Sequence, residues 1–572
     1  MGERPWHAGC GVYLCRQEAQ EQVVCENKSR EKPEWWRCTA AHTMGCVKGC
    51  CHGEAAPFGP YKNHFDKYNA HCKGAFMQIH NPSPRLYNED LAPTKDRRWG
   101  AFSIFNVWTS DVHSLWGYYL AASLFLLCGS FVNFLVVIGL SSLVIFGLMN
   151  LMGYAGEKTG VPYPVLARAS FGIWGANLPA IVRAIVACFW YGAQTAAAAG
   201  ALVALLARND TMLAFHQNVH WLGHSGLEVM CYVVIWALQL LIIQKGMETV
   251  RKFQDWAGPA VWVAMLVLAI GLCVKAGGFS FEHGIPMDVL LDKTKDAGVP
   301  GVPGSLASLM AVGATWITYF AALYLNFCDF SRYAVNKEAV KKGNLWGLPV
   351  NLLAFSLVAG VTTIAAFTVY GEVLLHPEQI SAKFDSWLLA AIAALTFAVA
   401  TLGINVVANF VSAAFDISNV FPKQINFKRG GYIAALIALV LYPFAPWEGS
   451  AAQFVNAVGS AMGPLLGIIL VDYYLVAKGE INVAALYDEQ GEYRYRNGWN
   501  MNAVIATLIG CLFSTILPTF TRVLPAWWGT YGWFIGVLVG SVVYFACSKL
   551  WPRPAGKRIL EQVFSETGTP VR

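Results

Sequence analysis

Apolar runs of bilayer length recur along this chain, separated by short polar stretches. A helix needs about 20 apolar residues to cross the hydrocarbon core. The runs predict about twelve such helices, at 101–127, 131–153, 177–206, 226–245, 256–275, 305–328, 346–370, 387–415, 431–447, 451–476, 500–520 and 529–549, here called spans one to twelve. Two of them are broken by polar or small residues. Span one carries Asn106, Thr109, Ser110, Asp111, His113 and Ser114 inside an otherwise apolar segment, and span six carries Gly304-Ser305 and Gly313-Ala-Thr-Trp-Ile-Thr318. Small residues packing against a neighbour explain one such segment well. Two breaks five spans apart instead suggest two structural repeats with a binding site between them.

Span three sharpens that expectation. Trp190 and Gln194 are four residues apart and share a helix face. A side-chain amide at membrane depth must find a partner, because lipid offers none. One reading has Gln194 bonding a neighbouring helix and Trp190 packing; the other has the pair stacking and hydrogen-bonding a flat ring. Span six adds Trp316, and span eight adds Asn405 and Asn409, again one turn apart. Two indoles and several amides, with no Lys or Arg expected at mid-membrane, describe a flat, neutral guest rich in N–H and C=O groups. A carboxylate would want a cation or free helix amides. Arg183, at the start of span three, is read as pinning the loop before it. Glu157, Asp329, Asp416 and Asp472, near span ends, are read as solvated or loop-pinning.

Composition agrees. The 572 residues are 56% hydrophobic and 13% charged, where soluble domains carry about 25% charged residues. The net charge of +6 is modest, and no basic cluster interleaved with aromatics points to nucleic acid. With the amino end inside, the internal loops carry fifteen Lys and Arg and the external loops six, which predicts both termini in the cytoplasm. Eight of the fifteen cysteines precede Met77. Residues 1–76 are read as a disordered or mis-called extension, with the functional chain beginning near Met77; Cys46, Cys50, Cys51, His52, His71 and Cys72 lack the spacing of paired zinc ligands. The seven later cysteines lie in spans and act as small hydrophobes. A membrane-embedded enzyme would need a catalytic set or metal cluster at depth, and none is apparent. His216, His220 and His224 are helically spaced but fall in an external loop. A channel would show a continuous polar stripe, whereas the polar residues cluster at one depth.

On these residues the chain resembles the nucleobase:cation symporter-1 family over about 86–550. The matching stretches are Asn88-Glu-Asp-Leu-Ala-Pro93, Gly160-Val-Pro-Tyr-Pro-Val-Leu-Ala-Arg-Ala-Ser-Phe-Gly172, Gly175-Ala-Asn-Leu-Pro-Ala180, Trp190-Tyr-Gly-Ala-Gln194, Asp472-Tyr-Tyr474 and the Leu486-Tyr487 loop. The resemblance implies an all-α polytopic membrane protein with a five-plus-five inverted repeat, leucine-transporter-like: a tail at 77–100, a first repeat at 101–275, a second at 305–476, two extra helices at 500–549 and a tail at 550–572. It implies that Trp190 and Trp316 sandwich the substrate ring, that Gln194 and Asn409 hydrogen-bond it, and that Ser114 adds a polar contact. It also implies a cation site from the carbonyls of Ser110, His113 and Ala400 plus two hydroxyls of span eight. Those hydroxyl positions are Gly403 and Ile404 here, and Thr401 falls two residues too early.

Sodium needs several oxygens in a tight shell, so that loss argues against it. Asp111 and His113 offer proton coupling instead, since ionisable groups inside a membrane are often proton relays. The expected activity is cation-coupled import of a neutral heterocycle across the plasma membrane by alternating access, with H+ favoured over Na+ and no other cofactor or protein partner. Uracil or a related pyrimidine is the first expectation and hydantoin or allantoin the alternative.

Overall fold

The computed structural model describes residue 79 and residues 82–552, apart from 96, 244–246, 279–283, 296–298, 443–450 and 522. The readings made for 1–76, and for nearly all of the tail 550–572, lie outside the described residues. Residues 82–552 belong to one compact unit, Asn81–Arg572, and it is almost wholly helical. Lipid cannot satisfy a free N–H or C=O, so a crossing chain folds as helix and irregular backbone survives only inside the protein. The outward faces are apolar, as at Leu140, Val267, Leu395 and Leu508, while Asn106, Gln194, Gln239 and Asn405 are buried.

Span one is broken as expected, into Ala101–Val112 and Leu115–Leu127. Its second half starts at Ser114, whose extended backbone and Oγ, accepting from the Gly117 N–H at 2.8 Å, form an N-cap. Span six breaks later than the glycines suggest, into Leu306–Tyr319 and Ala321–Asn326 with the hinge at Phe320. Gly313 serves close packing instead: a Cβ there would lie 3.1 Å from Ser141 Oγ of span two.

Span two, Phe131–Thr159, stops at Gly160 with φ 72°, a left-handed C-cap that suits glycine. A buried linking helix, Tyr163–Phe171, then leads to span three, Asn177–Leu206. Spans four and five are Gly226–Ile243 and Met247–Lys275. Span seven runs over Lys337–Tyr370, starting well before the apolar run because the polar segment Lys337–Leu345, capped by Asn336, extends the helix. Span eight runs over Trp387–Val420 and contains a π segment, Asn405–Val411. Span nine is Phe427–Leu441, and span ten bends by 43° between Ala451–Ser460 and Gly463–Val476. Spans eleven and twelve are Met501–Phe520 and Gly532–Leu550.

The three loop histidines do not share a helix. His216 lies on Asp210–Asn218, whereas His220 and His224 sit on the two strands of a small hairpin. His216 Nδ1 bonds Ser225 Oγ at 2.6 Å, and His224 stacks on Tyr442.

Span seven closes on span one through Gly347. A Cβ at Gly347 would fall 2.2 Å from Trp108 Cδ1, and Trp108 is fixed by its Nε1–H donating to Asn344 Oδ1 at 2.8 Å. Overpacking of this kind costs about 1–3 kcal/mol. Gly347→Ala is expected to lower the thermal midpoint of the detergent-purified protein by several degrees. Gly147→Ala, with nothing within 4 Å of its added Cβ, is expected to leave the midpoint within about a degree.

Candidate functional site

The two breaks and the middles of spans three and eight meet around one small cavity. Its walls are Asp111 of span one, Arg183, Trp190 and Gln194 of span three, Tyr319 of span six, and Ile404 and Asn409 of span eight. Four segments distant in sequence thus converge on the depth at which the sequence placed its polar residues.

The aromatic wall is arranged around Trp190. Trp116, Tyr319 and Phe454 lie 4.9, 5.5 and 5.0 Å from its ring and stand nearly perpendicular to it. Trp116 and Tyr319 are almost parallel, at 9°. Trp316 is not on the cavity wall. It is buried behind Tyr319, with ring centroids 6.0 Å apart, and makes no ring contact with Trp190 among the described residues. The rings that meet directly at the cavity are those of Trp190 and Tyr319; a sandwich of a guest ring by Trp190 and Trp316 needs the two indoles apart, as they are here. Tyr319 ends the first half of span six, at the break.

The amides are partly committed to protein. Gln194 Nε2 donates to Ser114 Oγ at 3.3 Å, tying span three to the span-one break. Asn409 Nδ2 donates to Asn405 Oδ1 at 2.9 Å, and Asn405 Nδ2 in turn donates to Tyr191 O and Thr195 Oγ1. Three fully buried polar atoms on the cavity-lining residues have no protein partner: Gln194 Oε1, Asp111 Oδ1 and Arg183 Nη1. Buried polar groups are normally paired. Two acceptors and one donor on one cavity match a guest that presents N–H groups and a carbonyl.

The residues considered for cation coupling separate. Asp111 lines the cavity, whereas His113 turns away and packs edge-on against Trp262 and Phe355 at 4.6 and 5.2 Å. His113 Nδ1 bonds the Thr109 carbonyl, which can only accept, so that nitrogen carries its hydrogen. Ala400, Thr401, Gly403 and Ile404 are all buried. Ser110 Oγ and Thr401 Oγ1 lack hydrogen-bond partners. Gly403 and Ile404 offer no side-chain oxygen.

Arg183 was the least visible of the cavity residues. It does not pin the loop before span three. It is fully buried, donating through Nε to Ala322 O at 3.2 Å and through Nη2 to Asn326 Oδ1 and Ala408 O at 3.2 and 3.0 Å. A buried cation therefore lines the cavity. The sequence held a signal for it: Arg183 lies seven residues, two helical turns, before Trp190 and so on the same face. Asp329, Asp416 and Asp472 are fully buried rather than solvated. Asp329 holds the linking helix, its Oδ1 accepting from Tyr163 N–H at 2.7 Å, and Asp472 accepts from Ser170 and Tyr544. Glu157 pairs with Arg97 at 3.6 Å.

Residues 92–536 match a family described as permeases for cytosine/purines, uracil, thiamine and allantoin. An allantoin permease of Bacillus subtilis (strain 168) is 34% identical over 82% of this chain and 94% of its own. The purine-uracil permease NCS1 of Arabidopsis thaliana is 31% identical over 77% of this chain and 73% of its own. The fold matches that of Mhp1, a nucleobase-cation-symport-1 family transporter solved in a closed conformation with bromovinylhydantoin bound; the TM-score is 0.65 at 21% identity, covering 85% of this chain and 100% of that one.

Stacking a ring on one aromatic side chain contributes about 1–3 kcal/mol, or roughly 5- to 150-fold in Kd. Trp190→Ala and Tyr319→Ala are each expected to weaken substrate binding by about tenfold or more, measured as the Kd of the purified protein. Trp316→Ala, which removes the ring stacked beside Tyr319, is expected to cost less than either. An equal or larger loss at Trp316 would favour the sandwich.

Proposed function

Because the chain belongs to the permease family for cytosine/purines, uracil, thiamine and allantoin, we propose that it imports a neutral cyclic amide by alternating access, driven by a proton gradient. The observation that carries the substrate class is the pairing of the Trp190–Tyr319 corner with the unpartnered acceptors Gln194 Oε1 and Asp111 Oδ1. A ring N–H adjacent to a carbonyl satisfies an acceptor and leaves its oxygen for Arg183 Nη1. Uracil, hydantoin and allantoin all carry that edge. A ring lacking N–H groups would leave buried acceptors unpaired, the kind of mismatch that sites reject by large factors.

Rocking of one repeat against the other supplies transport. Substrate binding must favour one state over another for the gradient to do work. The Gln194–Ser114 hydrogen bond joins spans three and one within the first repeat, directly at the cavity. Proton rather than sodium coupling follows from the chemistry of span eight, where the two hydroxyl positions of a sodium site are glycine and isoleucine. Asp111, the carboxylate on the cavity wall, is the residue placed to sense both proton and substrate; His113, packed away from the cavity, is not. The loop-charge asymmetry supports an orientation with both termini in the cytoplasm, in keeping with import across the plasma membrane.

Full-length protein in proteoliposomes tests this reading. Competition by uracil, hydantoin, allantoin, cytosine and purines against a radiolabelled ring identifies the substrate, and the N-methylated form of the best competitor is expected to lose at least tenfold in affinity. Uptake is expected to rise with an inward proton gradient and to be unchanged when sodium is replaced by choline. Strict sodium dependence with no response to pH would overturn the coupling.

A further inference from the structure

Below the cavity, towards the amino end of span three and the carboxyl end of span eight, lies a set of charged groups that substrate contact does not explain. Asp416 stands seven residues, two turns, beyond Asn409 on span eight. It is fully buried, and neither of its carboxylate oxygens has a hydrogen-bond partner among the described residues. Arg183 is within its electrostatic reach but forms no ion pair with it; the guanidinium bonds neutral acceptors and keeps Nη1 free. On the cavity side, Asp111 also feels Arg183 without bonding it. One buried guanidinium thus interacts with two carboxylates, Asp111 on the cavity wall it shares and Asp416 off that wall.

The surrounding charges can be counted. Asp416 faces Arg183 of span three and Asp329 after span six. Tyr163 of the linking helix and Cys328 after span six also interact with it. Arg183 faces Asp416, Asp329, Tyr163 and Cys188 of its own helix. Arg332 interacts with Asp329. Three buried carboxylates, Asp111, Asp329 and Asp416, therefore meet two buried guanidiniums, Arg183 and Arg332. Asp329 has its own support in the Tyr163 N–H and Arg332. Burying an uncompensated charge is costly, so neutrality calls for one proton on Asp111 or Asp416.

We propose that Asp416 is a second proton-binding site, which shares one proton with Asp111 across the fixed charge of Arg183. The proposal rests on the proton-coupled reading above and adds to it the residue that holds the proton away from the substrate. With the proton on Asp416, Asp111 is ionised, balanced by Arg183, and accepts a substrate N–H. With the proton on Asp111, Asp416 takes Arg183 as its counter-charge. Arg183 is tied to Ala322 and Asn326 in the second half of span six and to Ala408 in the π segment of span eight. A shift of charge between its two flanks therefore bears on the helices that must part when the cavity opens on that side.

The test uses full-length protein in proteoliposomes, with two readouts: accumulation driven by a proton gradient, and substrate counterflow, which exchanges labelled for unlabelled substrate without a gradient. Asp416→Asn is expected to keep counterflow within about threefold of wild type and to lose proton-driven accumulation by at least tenfold. Asp416→Glu, which keeps the carboxyl, is expected to retain accumulation with a displaced pH profile. Asp416→Ser gives the same neutral readout should the asparagine variant fail to fold. Wild-type accumulation in the neutral variants would overturn the proposal and leave the coupling reading intact. Parallel loss of counterflow and accumulation in Asn, Ser and Glu variants alike would make Asp416 structural and also overturn it. A wild-type protein indifferent to the proton gradient would overturn the coupling reading itself.

Discussion

Lipid supplies no hydrogen bonds, and the architecture of this protein answers to that constraint. A helix can break at membrane depth only where other protein groups take over its exposed backbone and polar side chains. Here the break of span one is held by Ser114, which caps its own second half and receives Gln194 from span three. The break of span six is held by Arg183, whose guanidinium takes the Ala322 carbonyl and the Asn326 side chain. Both stabilising groups come from span three. That helix is therefore the wall against which both broken spans are organised, and the cavity lies along it between Arg183 and Gln194.

The same constraint gives the site its selectivity. Groups already bonded within the protein, such as Asn405 and the Asn409 amide nitrogen, fix the shape of the wall. Groups left over, Gln194 Oε1, Asp111 Oδ1 and Arg183 Nη1, face the guest's side of the balance. On the proposed reading, the aromatic corner supplies area and orientation, and the polar remainder decides which ring is accepted.

Much of this was legible in the sequence. The broken first span, the Trp190–Gln194 face and the Asn405–Asn409 pair were visible because helical period and hydropathy report directly on which residues share a depth. The family motifs added the repeat fold. What escaped shows the limit of that reasoning. Tyr319, one turn after Trp316 on the same half-helix, was not singled out, though it ends that half at the Phe320 hinge and lines the cavity. Asp416 and Asp329 look like the polar ends of spans, yet the buried linking helix Tyr163–Phe171 packs over that region and removes them from water. Arg183, at the start of span three, reads as pinning the loop before it because an arginine inside a span is expensive unless partners are supplied, and its partners lie 139 and more residues away. The three loop histidines kept helical spacing on paper but lie on a helix and a hairpin, because the Leu222–Gly223 turn intervenes.

The measurement that bears most directly on the central claim is a structure of the full-length protein with its transported ring bound. The account predicts the ring in the corner of Trp190 and Tyr319, with a ring N–H within hydrogen-bond distance of Gln194 Oε1 and a carbonyl towards Arg183. A ring lodged outside this cavity, or one touching neither Trp190 nor Gln194, would contradict it.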